Sequence, residues 1–274
     1  MESFYTAKEA RLKLGVNINK FQYMVRVGQI RKVVLPGHKY GVYPKEQINR
    51  LAAAMEATAE LYVHDASVFE LATEADLPEI YAMVARTMPR VTPIETQRAW
   101  IKRNPEAFYT LRDNGIVVAY ACIFPVNYQW LERVLKDEIR IGDVPVKEVY
   151  PFTPGRPLDV YIRDLIAGKT DDKEKFTHYA QRMISELIHV FTQLGTRGIE
   201  IRTIYAFAST PHGNNLCQRF HFTPLTEFAQ PHLEGAMPYK LDVATATTPL
   251  IDGYKQEYER YKARHREGEN TTLE

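Results

Sequence analysis

The run from Leu158 to Phe222 limits the fold more than any other stretch of the chain. It opens with Leu158-Asp-Val-Tyr-Ile-Arg-Asp-Leu-Ile-Ala167, apolar and β-branched enough to be a buried strand. Phe176, Tyr179, Met183, Leu187 and Val190 then recur at helical spacing, which predicts a long helix from about Lys173 to Leu194. Gly195 and Gly198 are expected to end it, and Ile199 to Ala208 reads as a second strand. Residues 209 to 222, Ser-Thr-Pro-His-Gly-Asn-Asn-Leu-Cys-Gln-Arg-Phe-His-Phe, predict a short helix that opens after Pro211 and closes on two phenylalanines. Strand, helix, strand and short helix form the core of a small α/β domain.

Residues upstream supply further parts of such a domain. Glu60 to Phe69 is a short link rather than a free tether, and Phe69-Glu-Leu-Ala72 reads as a first strand. Thr73 with Asp76 caps a helix running to about Met88, and Thr92-Pro-Ile-Glu95 caps a second one through Trp100 and Lys102. Phe108 to Arg112 and Ile116 to Phe124, joined by Asp113-Asn114-Gly115, predict a hairpin with a strong turn signal. Between Asn127 and Pro157 lie a helix candidate, Gln129 to Lys136, and a proline-rich segment; the sequence does not decide whether they shape a pocket or pack elsewhere. No internal repeat is visible.

From roughly Phe69 to Val243 this order resembles the second half, and the usual entry, of the Gcn5-related N-acetyltransferase family. The resemblance implies an α/β (α+β) domain with a mixed sheet and helices on both faces, and acetyl-CoA or another acyl-CoA as ligand. In the family a loop at the start of the long helix cradles the coenzyme A pyrophosphate. Counted back from Gly195, its Arg/Gln-x-x-Gly-x-Gly/Ala falls on Lys175-Phe-Thr-His178-Tyr-Ala180. Lys175 keeps a cation and Ala180 is permitted, but His178 replaces the first glycine, where a side chain crowds an anion approaching backbone amides. Ile166 on the first core strand and Asn214 at the start of the short helix complete the cofactor-facing residues that the resemblance implies. Cys217 falls where the family often has a tyrosine acting as general acid toward the thiolate, and His221 where a glycine precedes the final Phe222. A cysteine can give up a proton, with an ordinary pKa near ~8.5. A lone helix cysteine is more commonly a small buried residue. Asp164 and Glu200 are the candidates for a general base, and either reads equally as an exposed strand-end charge.

Charge sets the N-terminal end apart. Residues 1 to 58 hold ten Lys and Arg against four Glu, and the remainder 25 against 30 Asp and Glu. Thr6-Ala-Lys-Glu9 is a capping box, starting a helix with Ala7, Ala10 and Leu14 inward that stops at Gly15. A second helix to about Val27 places Ile18, Phe21 and Val25 inward and Asn19, Lys20, Gln22, Tyr23 and Arg26 outward. Gly28 ends it, Ile30 to Tyr43 reads as a hairpin around Pro36-Gly37, and Pro44 opens a third helix from Lys45 to about Ala59. Through Tyr5-Thr6, Leu14-Gly15-Val16, Gly28 and Tyr43-Pro44, this end resembles the MerR and excisionase-type winged helix-turn-helix family. The resemblance implies double-stranded DNA as partner, with Asn19, Lys20, Gln22, Tyr23 and Arg26 in the groove and Arg31, Lys32, His38 and Lys39 on phosphates. Short basic helical hairpins also serve as protein-docking modules.

The expected division is therefore a winged helix-turn-helix over 1–60, an acetyltransferase-like domain over 61–245, and a C-terminal helix with its tail over 246–274. Leu250, Ile251, Tyr254, Tyr258 and Tyr261 form a stripe on that helix which packs on the domain or pairs two chains as a homodimer. Gly268 to Glu274 reads as a disordered tail. With 274 residues, 45% hydrophobic and 25% charged, the chain has room for one or two domains. The longest apolar run, Ile116 to Val126, is too short for a membrane span and contains Pro125. Met1-Glu-Ser-Phe-Tyr5 lacks the basic flank and apolar core of a signal peptide, and two cysteines give no disulfide framework, so a cytoplasmic protein is expected. His178, His189, His212, His221 and His232 lack ligand spacing, and no metal is expected.

Three functions stay open. The favoured one is a DNA-binding transcriptional regulator whose acetyltransferase-like domain senses an acyl-CoA or another small ligand, or mediates oligomerisation. Departure from the family's glycines and tyrosine weighs for it. The second is an active acetyl-CoA-dependent N-acetyltransferase recruited to DNA, and the third a protein-interaction module on a degenerate enzyme fold.

Overall fold

The computed structural model describes residues 4–26, 28–34, 36, 40–53, 67–88, 91–230, 232–233 and 235–271, with side chains as far as residue 265. They belong to two compact units, Met1–Ala66 and Ser67–Glu274.

In the first unit, β1 (Phe4–Tyr5) leads into α1 (Ala7–Lys13), α2 (Ile18–Arg26), β2 (Tyr43–Pro44) and α3 (residues 45–53). The capping box forms: Glu9 N–H donates to Thr6 Oγ1 (3.3 Å) and Thr6 N–H to Glu9 Oε2 (2.8 Å). Gly15, at φ +64, turns the chain from α1 toward α2, and the Asn17 side chain caps α2 by accepting from Lys20 N–H. β1 pairs antiparallel with β2, and Val33 bridges Val42. A small core of Ala10, Leu14, Phe21, Met24, Ile30, Tyr43, Ile48 and Ala52 holds these pieces together. Ala7 and Ile18, expected inward, are exposed, and Met24 takes the buried place one turn after Phe21. The third helix beyond residue 53, and His38 and Lys39 of the expected wing, lie outside the described residues.

The second unit is built on a seven-stranded mixed sheet. Its elements are β3 (Val68–Leu71), a 3-10 turn (Glu74–Asp76), α4 (Leu77–Ala85), α5 (Ile94–Arg103), β4 (Phe108–Asp113), β5 (Ile116–Pro125), α6 (Tyr128–Leu135), β6 (Leu158–Ala167), α7 (Lys173–Thr196), β7 (Ile201–Ala208), α8 (Pro211–Arg219), β8 (Thr223–Pro224), β9 (Met237–Asp242) and α9 (Pro249–Thr271). Strand order is β3-β4-β5-β6-β7-β9-β8; β6 and β7 are parallel, joined across one face by α7, and every other neighbouring pair is antiparallel. The β4–β5 turn uses Asn114 (φ +50) and Gly115 (φ +81), the two left-handed residues of a type I′ hairpin. One face of the sheet packs against α7 and α9, burying Tyr179, Met183, Leu187, Val190, Leu250, Ile251 and Tyr254. The other packs against α4, α5 and α6 around Leu77, Ile80, Trp100, Phe108, Tyr120, Phe124 and Leu131.

Several expectations change for physical reasons. Gly195 does not end the long helix, which runs on to Thr196. A Cβ at Gly195 would sit 2.4 Å from the Tyr254 carbonyl oxygen, so this glycine lets α7 and α9 touch backbone to backbone. Gly198, at φ +71, makes the turn instead. Thr92 does not cap α5, whose N-cap is Pro93; its hydroxyl accepts from Arg163 Nη2 at 2.8 Å. Residues 128–149 pack on the α5 face, where Leu131, Leu135, Val144 and Val149 join that core and Asn104 Nδ2 donates to the Tyr150 carbonyl, while Phe152 enters the core on the α7 side. The stripe on α9 is taken up by its own unit. Leu250, Ile251 and Tyr254 are buried, and the Tyr254 hydroxyl accepts from Ile201 N–H (2.7 Å) and donates to the Ile199 carbonyl (2.9 Å). Those residues are therefore not a free face for a second chain, and helix continues to Thr271 through most of the expected tail. Among the described residues no helix is long and apolar enough to cross a membrane.

Candidate functional site

The parallel pair β6–β7 does not stay paired. Its register runs from Leu158↔Ile201 to Ile162↔Ala206 and stops there. Beyond that point each strand keeps only its outer partner: Asp164 to Ala167 pair with Cys122 to Ala119 of β5, and Phe207 and Ala208 with Pro238 and Met237 of β9. A register shift beside Cys122/Ile123 leaves Arg163 as an extra residue at the parting. A cavity of about 160 Å³ fills the split, lined among others by Ile162, Asp164 and Ile166 from β6, Ala206 and Ala208 from β7, and Cys217 from α8. Small side chains on β7 keep it open. Backbone groups on the facing strand edges, freed from each other, can serve a bound molecule.

Along its β6 wall lies a buried polar cluster. Arg163 and Asp164 form an ion pair with each side chain only 9% exposed. The Tyr120 hydroxyl donates to Asp164 Oδ2 at 2.6 Å, and Arg163 Nη1 lies 3.2 Å from that hydroxyl. Arg163 Nη2 reaches Thr92, and the guanidinium stands 5.4 Å from the centre of the Trp100 ring. Burial opposes the Arg163 charge most strongly of any one cause, but Asp164 together with Tyr120, Cys122 and Tyr161 outweighs it and holds the pKa above the ordinary arginine value. Burial and then the Asp164 charge push Tyr120 well above the usual phenol range. Burial carries the Cys122 thiol up to about 12. At neutral pH Tyr120 and Cys122 are thus neutral donors beside the Arg163–Asp164 pair. Asp164, read from sequence as a base or an exposed strand-end charge, is a buried carboxylate held by Arg163 and Tyr120. Glu200, the other candidate base, precedes β7 at the end away from the split, and its backbone carbonyl accepts from Leu158 N–H.

On α8, Cys217 is 8% exposed and faces the cavity, and burial lifts its thiol to about 11, so it stays protonated at neutral pH. Phe222 lies beside it in the lining. His221, in the place of the expected glycine, adopts φ +60, so the left-handed turn survives the substitution. Asn214 is not in the lining; its Nδ2 donates to the Gly235 carbonyl (2.7 Å) and its Oδ1 accepts from the Tyr239 hydroxyl (3.1 Å), tying the loop before β9 to α8.

The start of α7 is differently made. Asp172 caps it, Oδ1 accepting from Glu174 N–H (2.9 Å) and Lys175 N–H (3.1 Å), while Phe176 N–H donates to the Asp172 carbonyl. Lys175 is exposed. His178 and Ala180 stand half-buried in the second turn, where amides serve the helix's own hydrogen bonds, and the His178 ring lies 5.8 Å from that of Tyr179. Of the expected cofactor residues, Ile166 lines the cavity with Asp164 and Cys217; Lys175, His178, Ala180 and Asn214 do not. The split is lined mainly by apolar side chains, whereas the amides of Glu174 and Lys175 in the first turn of α7 already face the Asp172 carboxylate.

Sequence reading missed Arg163, Tyr120, Thr92, Ala206 and Ala208. One signal was present: two adjacent opposite charges, Arg163-Asp164, break the apolar strand at the bulge. Among the described residues no group of three or more His, Cys, Asp or Glu is placed to hold a metal ion.

The first unit presents a second surface. Asn19, Lys20, Gln22 and Arg26 are exposed on α2, Tyr23 is half-buried, and the Arg26 guanidinium stands 5.5 Å from the centre of its ring. Arg31 and Lys32, after α2, are exposed. Gln47 on α3 fixes that segment, accepting from Arg31 N–H (3.0 Å) and donating to the Gln29 carbonyl (3.2 Å).

No protein-family model and no curated protein matches the chain. Solved structures similar to it include Ard1 from Thermoplasma volcanium (8% identity, 65% of this chain and 97% of that one, TM-score 0.43). A GNAT-family acetyltransferase from Bacillus cereus is similar over 64% of this chain and 96% of its own, at 9% identity and TM-score 0.40. The NatC complex bound to Gag peptide and CoA matches 64% of this chain and 98% of its own, at 13% identity and TM-score 0.42. At these scores the likenesses assign no activity to the chain.

Proposed function

We propose that residues 67–243 form a Gcn5-related acyltransferase-like domain that holds an acyl thioester in the β6–β7 split and passes the acyl group to an amine. The observation that carries this reading is the parting of two parallel strands around a cavity, with unpaired strand edges on either side and a buried acid–base cluster on one wall. In the transfer, the amine nitrogen forms the new bond to the acyl carbon as the carbon–sulfur bond breaks. The proton leaving the amine goes to solvent; the departing thiolate takes one from Cys217, which regains a proton from solvent. Asp164, fixed by Arg163 and Tyr120, holds the incoming amine by its hydrogens, and edge amides of β6 face the thioester oxygen. An amine recognised this way is cationic in solution and loses a proton before its nitrogen attacks.

Calorimetry with acetyl-CoA and an Ala208→Trp variant tests this. Binding below millimolar concentration, weakened tenfold or more by the indole in the split while the melting temperature holds, is the expected outcome. No heat of binding up to millimolar acetyl-CoA would sink the reading.

For the first unit, the glycine turn between α1 and α2, the wing bridge and the exposed Lys20, Gln22 and Arg26 support recruitment to DNA. Arg26→Ala should weaken duplex binding and lower the salt slope by about one ion. An affinity and a slope that do not move would remove this surface from consideration.

A further inference from the structure

The split and the helix start that flanks it disagree about the donor. A coenzyme A thioester has two recognisable ends: a slim pantetheine arm bearing the acyl group, and a nucleotide with a doubly charged pyrophosphate. The first has a fitted place between Ile166, Ala206 and Ala208. The second needs free amides and positive charge at the start of α7, and three features oppose it. Asp172 already accepts from the amides of Glu174 and Lys175. The next amide, of Phe176, donates to the Asp172 carbonyl. Finally, Asp171, Asp172 and Glu174 stand among Lys169, Lys173 and Lys175, so the segment carries no excess of positive charge to offset a pyrophosphate. Between Gly168 and Gly195 no glycine lets a phosphate reach the backbone, and a Cβ at Gly168 itself would meet Met83 and the Val118 carbonyl at 3.3 Å.

We infer that this domain reads only the acyl-pantetheine arm of its donor and leaves a nucleotide ungripped. It rests on the proposed acyl-thioester site and narrows its substrate class: thioesters of pantetheine without the nucleotide serve as well as acetyl-CoA. Asp172 then has a second consequence besides capping α7, since its carboxylate repels a pyrophosphate.

Calorimetry on the full-length protein separates the outcomes, using acetyl-CoA, S-acetyl-pantetheine and adenosine 3′,5′-bisphosphate as probes. The two thioesters should bind within about threefold of each other and the nucleotide not at all. Asp172→Asn, which keeps a capping side chain without the charge, should leave pantetheine binding unchanged and improve acetyl-CoA binding severalfold. A preference for acetyl-CoA above about thirtyfold, or binding of the nucleotide alone, would overturn the inference while leaving the thioester site standing. Failure of both thioesters to bind at millimolar concentration would remove the site and the inference together.

Discussion

The two halves of β6 are one strand with two occupations. From Leu158 to Ile162 it pairs with β7, from Val160 onward with β5 as well, and Leu158, Val160 and Tyr161 are buried. From Asp164 to Ala167 it is bonded on one side only and half-buried, and its other edge borders a cavity. Between them sits Arg163, the bulged residue. The first half holds the sheet together by burying apolar area; the second gives up a hydrogen-bonded neighbour and gains a place for a ligand. Stability and binding are divided along a single strand, and the bulge marks the boundary.

Substitutions on either side of that boundary should therefore read out differently. The largest effect is expected at the boundary itself. Arg163→Ala leaves Asp164 buried without its cation and should destabilise the protein by about 3–5 kcal/mol in urea unfolding. The double change Arg163→Met with Asp164→Leu should recover most of that stability while abolishing acyl transfer; continued transfer would show that the cluster is structural only. Next comes Leu158→Ala in the first half, costing about 2–5 kcal/mol with thioester affinity unchanged in the protein that remains folded. In the second half Ile166→Ala should cost about 1 kcal/mol or less, yet alter thioester binding. Equal changes in stability and binding at both positions would erase the distinction between the halves.

A smaller effect lies at high pH. Burial raises the thiols of Cys122 and Cys217 to about 12 and about 11, above the ~8.5 of an unfolded cysteine. Between those values the unfolded chain has lost a proton that the folded chain keeps, so the unfolded state binds fewer and stability falls as pH rises. The contribution is complete below about pH 8.5 and declines from there to about pH 11–12. Cys217→Ser should flatten part of this alkaline slope in melting temperature. Its effect on transfer is separate: turnover should fall more than thioester affinity, and unchanged turnover would remove Cys217 as proton donor.

How much of this was legible in the residues varies by the range of the interaction concerned. Leu158–Ala167 was readable to its ends because a buried strand declares itself by continuous apolar and β-branched residues. Thr6–Glu9 and Asn114-Gly115 were readable because caps and tight turns are decided within a few positions. Ile18 deceived because a helix face includes any apolar residue of the right spacing, whereas the small core of the first unit had room for Met24 and not for it. Thr92 looked like a cap because Glu95 follows at the right distance; only the fold brings Arg163 to its hydroxyl. For the candidate site, Asp164, Ile166 and Cys217 were named from the chain alone, but Tyr120 and Arg163 acquire meaning from a register that no local pattern encodes. Lys175, His178 and Ala180 were placed by counting from Gly195 as a helix terminus, and that glycine lies inside the helix.

Gly195 has one more implication. Because nothing projects from it, the backbone of α9 rests directly on that of α7, and the Tyr254 hydroxyl bridges the carbonyl of Ile199 and the amide of Ile201 at the mouth of β7. The last helix is consequently a structural wedge and not a detachable appendage. Trimming the chain before Pro249 would strip α7 of its cover and unfasten the strand that forms one wall of the split, so a shortened version intended to isolate the pocket would lose the pocket.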